Sequence, residues 1–202
     1  KSYLTNGPLA DAYVVVAVSS EGPPRRRFTA FLVPRGTPGL TVDPPLSIPF
    51  LHPAPHGGIR LSDCRVPAEA VLGREGAAYE DMVIPFGDVE DALWGALALG
   101  GMEAQIDMLR ETLVNAHPLP LEPLGELAVQ KAALRAICQA SVQRLDMDER
   151  PSAALILAFH DLSAAFQTRM ATLVSREGFD LPPAWSALCR DLTAPATIRS
   201  RG

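Results

Sequence analysis

Apolar and polar positions follow two different periods along the chain, and the change falls in its first half. Short apolar runs at Ala12–Val18 and Phe28–Pro34 are separated by the turn-forming clusters EGPPRRR, RGTPG and DPP. Runs of this length, rich in Val and Phe, predict β-strands, and Ile59–Val66 is a weaker third candidate. This part of the chain is therefore predicted to form a small antiparallel sheet or a piece of a barrel.

From about residue 77 the apolar positions recur every three or four residues, which is typical of helices. We predict four helices, at Tyr79–Asn115, Leu124–Met147, Pro151–Gly178 and Pro183–Leu192. The predicted buried stripes are Leu99, Met102, Ile106, Leu109 and Leu113 on the first helix, Leu127, Leu134, Ile137, Ser141 and Leu145 on the second, and Leu155, Phe159, Leu162, Phe166, Met170 and Leu173 on the third. Long helices with short connections cover such stripes by packing on one another, so a helical bundle is predicted.

The expected fold class is α+β. A partial antiparallel β-barrel or sheet domain is predicted for residues 1–68, and an up-down helical bundle for residues 69–202. The two are joined by IRLSDCRVPAEAVLGREG, which shows a strand, a corner fixed by Pro67 and a turn at Gly73–Gly76. Physical chemistry alone indicates a domain linker here.

Composition narrows the class of protein. The 202 residues are 48% hydrophobic and 20% charged, and no apolar run reaches the roughly 18 residues of a membrane span, so neither a disordered nor a membrane protein is expected. A net charge of −5 and a pI near 5.4 argue against a nucleic-acid partner. Cys64, Cys138 and Cys189 lack metal-ligand spacing and are interpreted as reduced thiols of a cytoplasmic protein.

Two further sets of residues have simple structural interpretations. His52 and His56 in LHPAPHGG have no third ligand nearby, so no metal site is predicted and a Pro-rich loop explains them better. Trp94 and Trp185 lie on predicted helices and are expected to be packing residues.

Several stretches, in order along the chain, resemble the flavin-dependent acyl-CoA dehydrogenases. KSYLTNGPLAD is similar to their K-x-W/Y-I-T-N-G-x-x-A-D stretch, FTAFLVPRGTPGL to their T-A-F-L-V and G-L strands, and DCRVPAEAVLGREG to D-x-R-V-P-x-x-x-V-L-G-x-x-G. LGGMEA and CRDL resemble a small-residue step and an Arg-Asp pair of their helical domain. The resemblance implies the second half of the family's middle β-domain and its C-terminal helical domain. The family's N-terminal part is then expected before Lys1.

The resemblance also implies contacts with FAD. Tyr3 and Thr5 stand where the family's aromatic residue and threonine line the flavin ring. An aromatic side chain packs against the isoalloxazine, and a hydroxyl bonds to its N5 or O4 edge. Without the resemblance, Tyr3 and Thr5 are interpreted as structural residues at a strand edge.

The implied reaction is α,β-dehydrogenation of an acyl-CoA thioester, in which a carboxylate removes the α-proton while FAD accepts a hydride. The family places this glutamate on the first long helix or after the terminal Arg-Asp pair. In RDLTAPATIRSRG no acid follows the Arg-Asp pair and Arg199 stands where the glutamate would fall, whereas GDVEDALWGA resembles the D-L-E-R-L form found in the isovaleryl and some long-chain branches. Glu90 is therefore the predicted catalytic base.

Helix geometry bears on Glu90 independently. Glu90 shares a stripe with Leu93 and Leu97, where a carboxylate is expected to lose hydration and so become a better base. The alternative is that Asp88, Glu90 and Asp91 form an acidic first turn that complements the helix dipole.

Departures from the family pattern keep a second hypothesis open. Asp91 follows Glu90 where the family has Arg, NAHPLPLEPLG replaces R-x-x-F-G, and LVSREGFD keeps only Gly178 of Q-x-x-G-G-x-G. A charge-assisted bond to phosphate contributes about 1.5–3 kcal/mol, so these losses weaken FAD binding in the usual mode. The alternative is a degenerate, non-catalytic subunit with a binding or structural role. Oxidase or flavin-monooxygenase chemistry is a third option.

Oligomerisation is expected under either hypothesis. The family's helical domain packs against copies of itself, and Ala- and Gly-rich helix faces here allow close approach. A homo-oligomer, either a dimer or a tetramer, is therefore predicted. If the chain is a degenerate, non-catalytic subunit, a mixed oligomer with an active paralogue is the alternative. Exposed apolar stripes would otherwise cost about 25 cal/mol per Å².

Overall fold

The computed structural model describes residues 1–22, 25–52, 54–114 and 118–199. The chain divides into two compact units, Lys1–Gly87 and Asp88–Gly202, referred to below as the β unit and the helical unit. The domain boundary expected after residue 68 stays a prediction.

In its described part, the β unit has seven short strands arranged in three small antiparallel sheets. The strands are β1 Leu4–Thr5, β2 Ala12–Ser20, β3 Arg27–Pro34, β4 Leu40–Val42, β5 His56–Gly57, β6 Ile59–Leu61 and β7 Val71–Leu72. β3 lies between β2 and β7, while β1 pairs with β5 and β4 pairs with β6. The described residues contain no closed barrel, so the open-sheet form of the prediction is the correct one.

The core of the β unit follows from side-chain alternation along β2 and β3. Tyr13, Val15 and Val33 are buried, whereas the intervening Val14 is exposed. The Tyr13 hydroxyl donates to the carbonyl of Gly7 at 2.9 Å, which satisfies the one polar atom of that buried ring. Both stronger strand predictions are confirmed. The third is shorter than predicted, because β6 ends at Leu61 and Asp63 adopts a left-handed φ of 50°.

The described residues then form four α-helices, and all four were predicted. A π-helical turn at Tyr79–Val83 leads into α1 at Ile84–Leu113, followed by α2 Leu121–Asp146, α3 Ala153–Glu177 and α4 Pro183–Arg199. Asn115, the predicted end of the first helix, lies outside the described residues. α4 continues beyond Leu192 because it still buries apolar surface, since Ala194 is buried. Gly178 ends α3 with φ 67°, and its N–H donates to the Val174 carbonyl at 3.0 Å.

The helical unit has one apolar core to which all four helices contribute. Its largest fully buried side chains include Met102 and Leu109 from α1, Leu134 from α2 and Phe166 from α3. Most residues of the predicted stripes belong to this core or pack against it, which confirms the stripes as packing surfaces, whereas Leu145 and Leu155 are only half-buried and are not part of it. Trp185 is buried and Trp94 packs against the same core, which confirms them as packing residues.

The described residues include no helix that is both long enough and apolar enough to cross a membrane.

Candidate functional site

The first residues of the β unit include Tyr3 and Thr5, whose side chains both carry a hydroxyl group. Successive side chains of an extended chain point to opposite faces. Leu4 packs against the core of the β unit, so Tyr3 and Thr5 point the other way and are both exposed, Tyr3 by 77%. An aromatic ring and a hydroxyl group two residues apart thus share one accessible face.

Thr5 also has a buried partner on the neighbouring strand. It lies opposite His56 in the β1–β5 pair, and its Oγ1 is 3.3 Å from His56 Nδ1. The imidazole is only 7% exposed, and its Nε2 has no hydrogen-bond partner among the described residues. The backbone holds the ring in place from the other side, because the Leu46 N–H donates to the His56 carbonyl at 2.7 Å.

The two glycines after His56 explain why the HGG sequence lies here. A Cβ on Gly57 would come within 2.7 Å of Pro8 Cγ, and a Cβ on Gly58 within 2.7 Å of the Lys1 carbonyl oxygen. Only glycine permits this approach of β5 to the first residues of the chain. The sequence interpretation of LHPAPHGG as a loop missed this pairing. Among the described residues no group of three or more His, Cys, Asp or Glu could hold a metal ion.

Glu90, the predicted base, lies on the accessible side of α1. Its side chain is exposed, and so are the neighbouring apolar side chains, with Leu93 at 60% and Leu97 at 68%. The expectation that this stripe loses hydration is wrong within the helical unit, because α1 buries the opposite face, with Ala92, Ala98 and Met102. The catalytic role of Glu90 stays a prediction.

The neighbouring acid, Asp88, is the buried one. Asp88 is 7% exposed and accepts two hydrogen bonds from Arg150, at 2.6 Å from Nε and 3.1 Å from Nη2. The sequence analysis grouped Asp88 with Glu90 and Asp91 as an acidic first turn and did not find Arg150. A buried carboxylate needs a partner of opposite charge, but the pattern of α1 alone does not indicate where on the chain that partner lies.

A buried amide pair was also missed. Gln105 Nε2 donates to Gln167 Oε1 at 3.1 Å, and Gln167 Nε2 donates back to Gln105 Oε1 at 2.9 Å. Gln105 Nε2 also lies 3.2 Å from Cys189 Sγ, and burial raises the pKa of that thiol. Gln105 lies three residues after Met102 on the buried face of α1, and this position was the available signal.

A small cavity among the described residues of the helical unit bears on cofactor binding. It is lined by Asp91, Cys138, Ser141, Phe159 and His160, among others, and its volume is about 10 Å³. That is room for about one water molecule. Burial raises the pKa of the Cys138 thiol, so this cysteine stays neutral. The cavity therefore does not hold a cofactor.

Parts of the chain are similar in sequence to known dehydrogenases. No family model matches the chain. It is 33% identical over 111 residues to L-prolyl-[peptidyl-carrier protein] dehydrogenase of Pseudomonas fluorescens, covering 55% of this chain and 29% of that protein. It is 34% identical over 80 residues to the short-chain specific acyl-CoA dehydrogenase of Megasphaera elsdenii, covering 40% and 21%.

The likeness in fold is more extensive. The structure of butyryl-CoA dehydrogenase from Megasphaera elsdenii matches 94% of this chain with a TM-score of 0.71 at 22% identity. Over part of its length the chain is thus similar in sequence to acyl-CoA dehydrogenases. It shares the fold of their middle and C-terminal domains and spans 53% of the butyryl-CoA dehydrogenase chain. The resemblance and the α+β fold class expected from the sequence are confirmed.

The predicted site residues are divided between the two units. Tyr3 and Thr5 belong to the β unit, and Glu90 belongs to the helical unit. Part of NAHPLPLEPLG, where the family's R-x-x-F-G is missing, lies outside the described residues. Each of the three predicted residues is thus located on an accessible surface of its own unit, and their functional roles stay predictions.

Proposed function

We propose that this chain is part of an FAD-dependent enzyme that dehydrogenates an acyl-CoA thioester between its α- and β-carbons. The observation that carries the proposal is the accessible pair Tyr3 and Thr5, in a chain with the fold and motifs of acyl-CoA dehydrogenases. Glu90 is the proposed base. The similarity to named dehydrogenases supports this reaction class.

The β unit fits the ring end of FAD. A flavin ring needs a flat apolar surface on one face and hydrogen-bonding groups along its N5 and O4 edge. The exposed Tyr3 ring supplies the first and the exposed Thr5 hydroxyl the second, on the same side of the backbone. When bound there, FAD supplies the hydride acceptor of the reaction.

Glu90 has the chemistry and the surroundings for the remaining step. A carboxylate oxygen of Glu90 takes the proton from the α-carbon of the thioester, which is the role of a general base. Val89, Leu93 and Leu97 around it are exposed, so an acyl chain laid on this part of α1 meets apolar side chains on both sides of the carboxylate. Covering this face would also remove water from Glu90 and favour proton abstraction.

The degenerate-subunit alternative rests on the lost phosphate contacts. Asp91 reverses the charge that follows the base in the family, and the R-x-x-F-G and Q-x-x-G-G-x-G motifs are absent from the sequence. A chain of this kind keeps the fold and serves as a binding or structural subunit in an oligomer with an active paralogue. A colourless protein that stays colourless with added FAD is the result that favours it.

Two further parts of the proposal concern assembly and location. We propose a homo-oligomer, since Val89, Leu93 and Leu97 leave an apolar face of α1 exposed. Gly101 on α1 already packs closely against Leu192 on α4 of the same chain, because a Cβ on Gly101 would lie 2.9 Å from Leu192 Cδ2. This glycine is therefore not counted as part of a contact between chains. A cytoplasmic location is supported by the three free cysteines.

The test is the visible absorption spectrum of the purified protein with FAD, recorded before and after adding acyl-CoAs of different chain lengths. A flavin spectrum that bleaches with one chain length supports the proposal. Prolyl-loaded carrier protein belongs in the panel, because one relative is named for that substrate. Bound flavin that no thioester bleaches contradicts the proposed reaction.

Glu90→Gln tests the base. We expect flavin to stay bound and bleaching to fall by a factor of about 10² or more, the contribution typical of a general base. Glu111→Gln is the matched control, since Glu111 is an exposed glutamate on the same helix. Bleaching that persists in Glu90→Gln at the wild-type rate shows that the base lies elsewhere.

A further inference from the structure

The β unit holds a buried imidazole beside the Thr5 hydroxyl, and its hydrogen-bonding state can be worked out from the surroundings. His56 is 7% exposed, its Nδ1 lies 3.3 Å from Thr5 Oγ1, and its Nε2 is buried without a partner among the described residues. None of the motifs behind the proposed function includes His56.

A neutral imidazole carries its proton on one of its two nitrogens. If Nε2 carries the proton, a buried N–H is left without an acceptor, and Nδ1 accepts the Thr5 hydroxyl proton. If Nδ1 carries the proton, it donates to Thr5 Oγ1, and Nε2 is left as a bare acceptor. Buried N–H groups without an acceptor are rarer in proteins than incompletely satisfied acceptors, so the second arrangement fits this site better.

The two arrangements have opposite consequences for Thr5. A hydroxyl that gives its only proton to His56 can only accept a hydrogen bond from a ligand. A hydroxyl that receives a proton from His56 keeps its own for the exposed side of the strand. The position of one buried proton therefore decides whether Thr5 acts as a donor or as an acceptor on the face that it shares with Tyr3.

We propose that His56 is a positioning residue that donates from Nδ1 to Thr5 Oγ1 and thereby makes Thr5 a hydrogen-bond donor on its exposed side. The assignment to a flavin rests on the proposed function, in which the Thr5 hydroxyl meets the N5 or O4 edge of the ring. Both flavin atoms are acceptors in the oxidised cofactor, so a donor at Thr5 suits that state.

The surrounding backbone supports this role. The β1–β5 register places Thr5 opposite His56, and the Leu46 N–H fixes the other side of the histidine backbone. Gly57 and Gly58 let β5 approach the first residues closely enough for the contact to form. These features fix the position of the Thr5 hydroxyl relative to the His56 ring.

The decisive measurement does not need FAD. The ¹⁵N resonances of His56 in the histidine-labelled protein distinguish protonated from bare ring nitrogens, and His56→Asn identifies the peaks by their loss. We expect Nδ1 to be protonated and Nε2 to be bare. A protonated Nε2 beside a bare Nδ1 overturns the proposal, whether or not the protein binds FAD.

Variants extend the test to the cofactor. His56→Leu removes the donor, whereas His56→Asn keeps an amide N–H at the same distance from the backbone as Nδ1. We expect FAD binding about 2- to 10-fold weaker in His56→Leu and in Thr5→Val, the range for one neutral hydrogen bond, and close to wild type in His56→Asn. Equal losses in His56→Asn and His56→Leu would show that the ring acts only by packing.

The two proposals fail in different ways. If the wild-type protein does not bind FAD, the proposed function fails, while a protonated Nδ1 still supports the donor assignment of Thr5. If FAD binds and bleaches but Nε2 carries the proton, the proposed function stands and the role of His56 falls.

Discussion

The buried amide pair of Gln105 and Gln167 should make the two residues strongly dependent on each other. Gln105 has no exposed surface and Gln167 is 8% exposed, and their amides exchange two hydrogen bonds of 3.1 and 2.9 Å. Replacing one residue by Leu leaves both polar atoms of the other amide without this partner. The perturbation is therefore larger than the loss of a single hydrogen bond.

The magnitude follows from the cost of unsatisfied groups. Each buried donor or acceptor left unpaired costs about 1–3 kcal/mol, which the added apolar side chain partly offsets. We expect Gln105→Leu and Gln167→Leu each to lower the free energy of unfolding of the helical unit by about 2–3 kcal/mol. The double variant removes both amides together, so it should lie within about 1 kcal/mol of wild type. The resulting coupling is at least about 3 kcal/mol, which is at or above the upper end for residues in contact.

Urea denaturation followed by tryptophan fluorescence is the suitable assay, because Trp94 and Trp185, the two tryptophans of the chain, both lie in the helical unit. Gln139→Leu on the exposed side of α2 is the control and should change stability by no more than about 0.5 kcal/mol. If the double variant is destabilised by the sum of the two single changes, the amides do not depend on each other and the reasoning is wrong.

Two further predictions concern close packing and pH. A Cβ on Gly100 meets nothing within 4 Å, whereas one on Gly101 lies 2.9 Å from Leu192 Cδ2. Gly100→Ala should therefore stabilise α1 by about 0.5–1 kcal/mol, and Gly101→Ala should stabilise it less or destabilise it. Equal effects of the two substitutions in thermal melts would contradict this packing. Burial raises the pKa of the Cys138 thiol above its value in the unfolded chain, so its contribution to stability is complete below about pH 8.5 and is lost as pH rises through the folded-state pKa. Denaturation curves at increasing pH should show that loss in wild type and a smaller one in Cys138→Ala.

The helices and most of their apolar core residues could be predicted from the sequence, because buried apolar residues recur at helical spacing along each helix. Leu134 and Phe166 fall on their stripes at helical spacing, and both are fully buried. The polar members of the core were not predictable in the same way. Gln105 and Gln167 are 62 residues apart in the sequence, and periodicity within one helix does not show which amide another helix brings to meet it.

In the candidate site, too, the residues missed from the sequence are those that depend on contacts between distant parts of the chain. The motif resemblance alone pointed to Tyr3 and Thr5 and supplied their proposed role, and the structure adds that both side chains are exposed. His56 was dismissed as part of a Pro-rich loop, because its pairing with Thr5 depends on a contact across 51 residues of sequence. The same limit hid Arg150, which is 62 residues from Asp88.

Glu90 shows where a pattern that is correct in itself can support a wrong inference. Helical spacing correctly put Glu90 on one face with Leu93 and Leu97, but it could not say whether that face is buried. The structure gives α1 two apolar faces, one packed in the bundle through Ala98 and Met102 and one exposed around Glu90. A helix that is apolar on both sides is typical of one that is covered on both sides in the working protein. The dehydration that a base at Glu90 requires must therefore come from whatever covers the second face, and in the proposed reaction the acyl chain contributes to that cover.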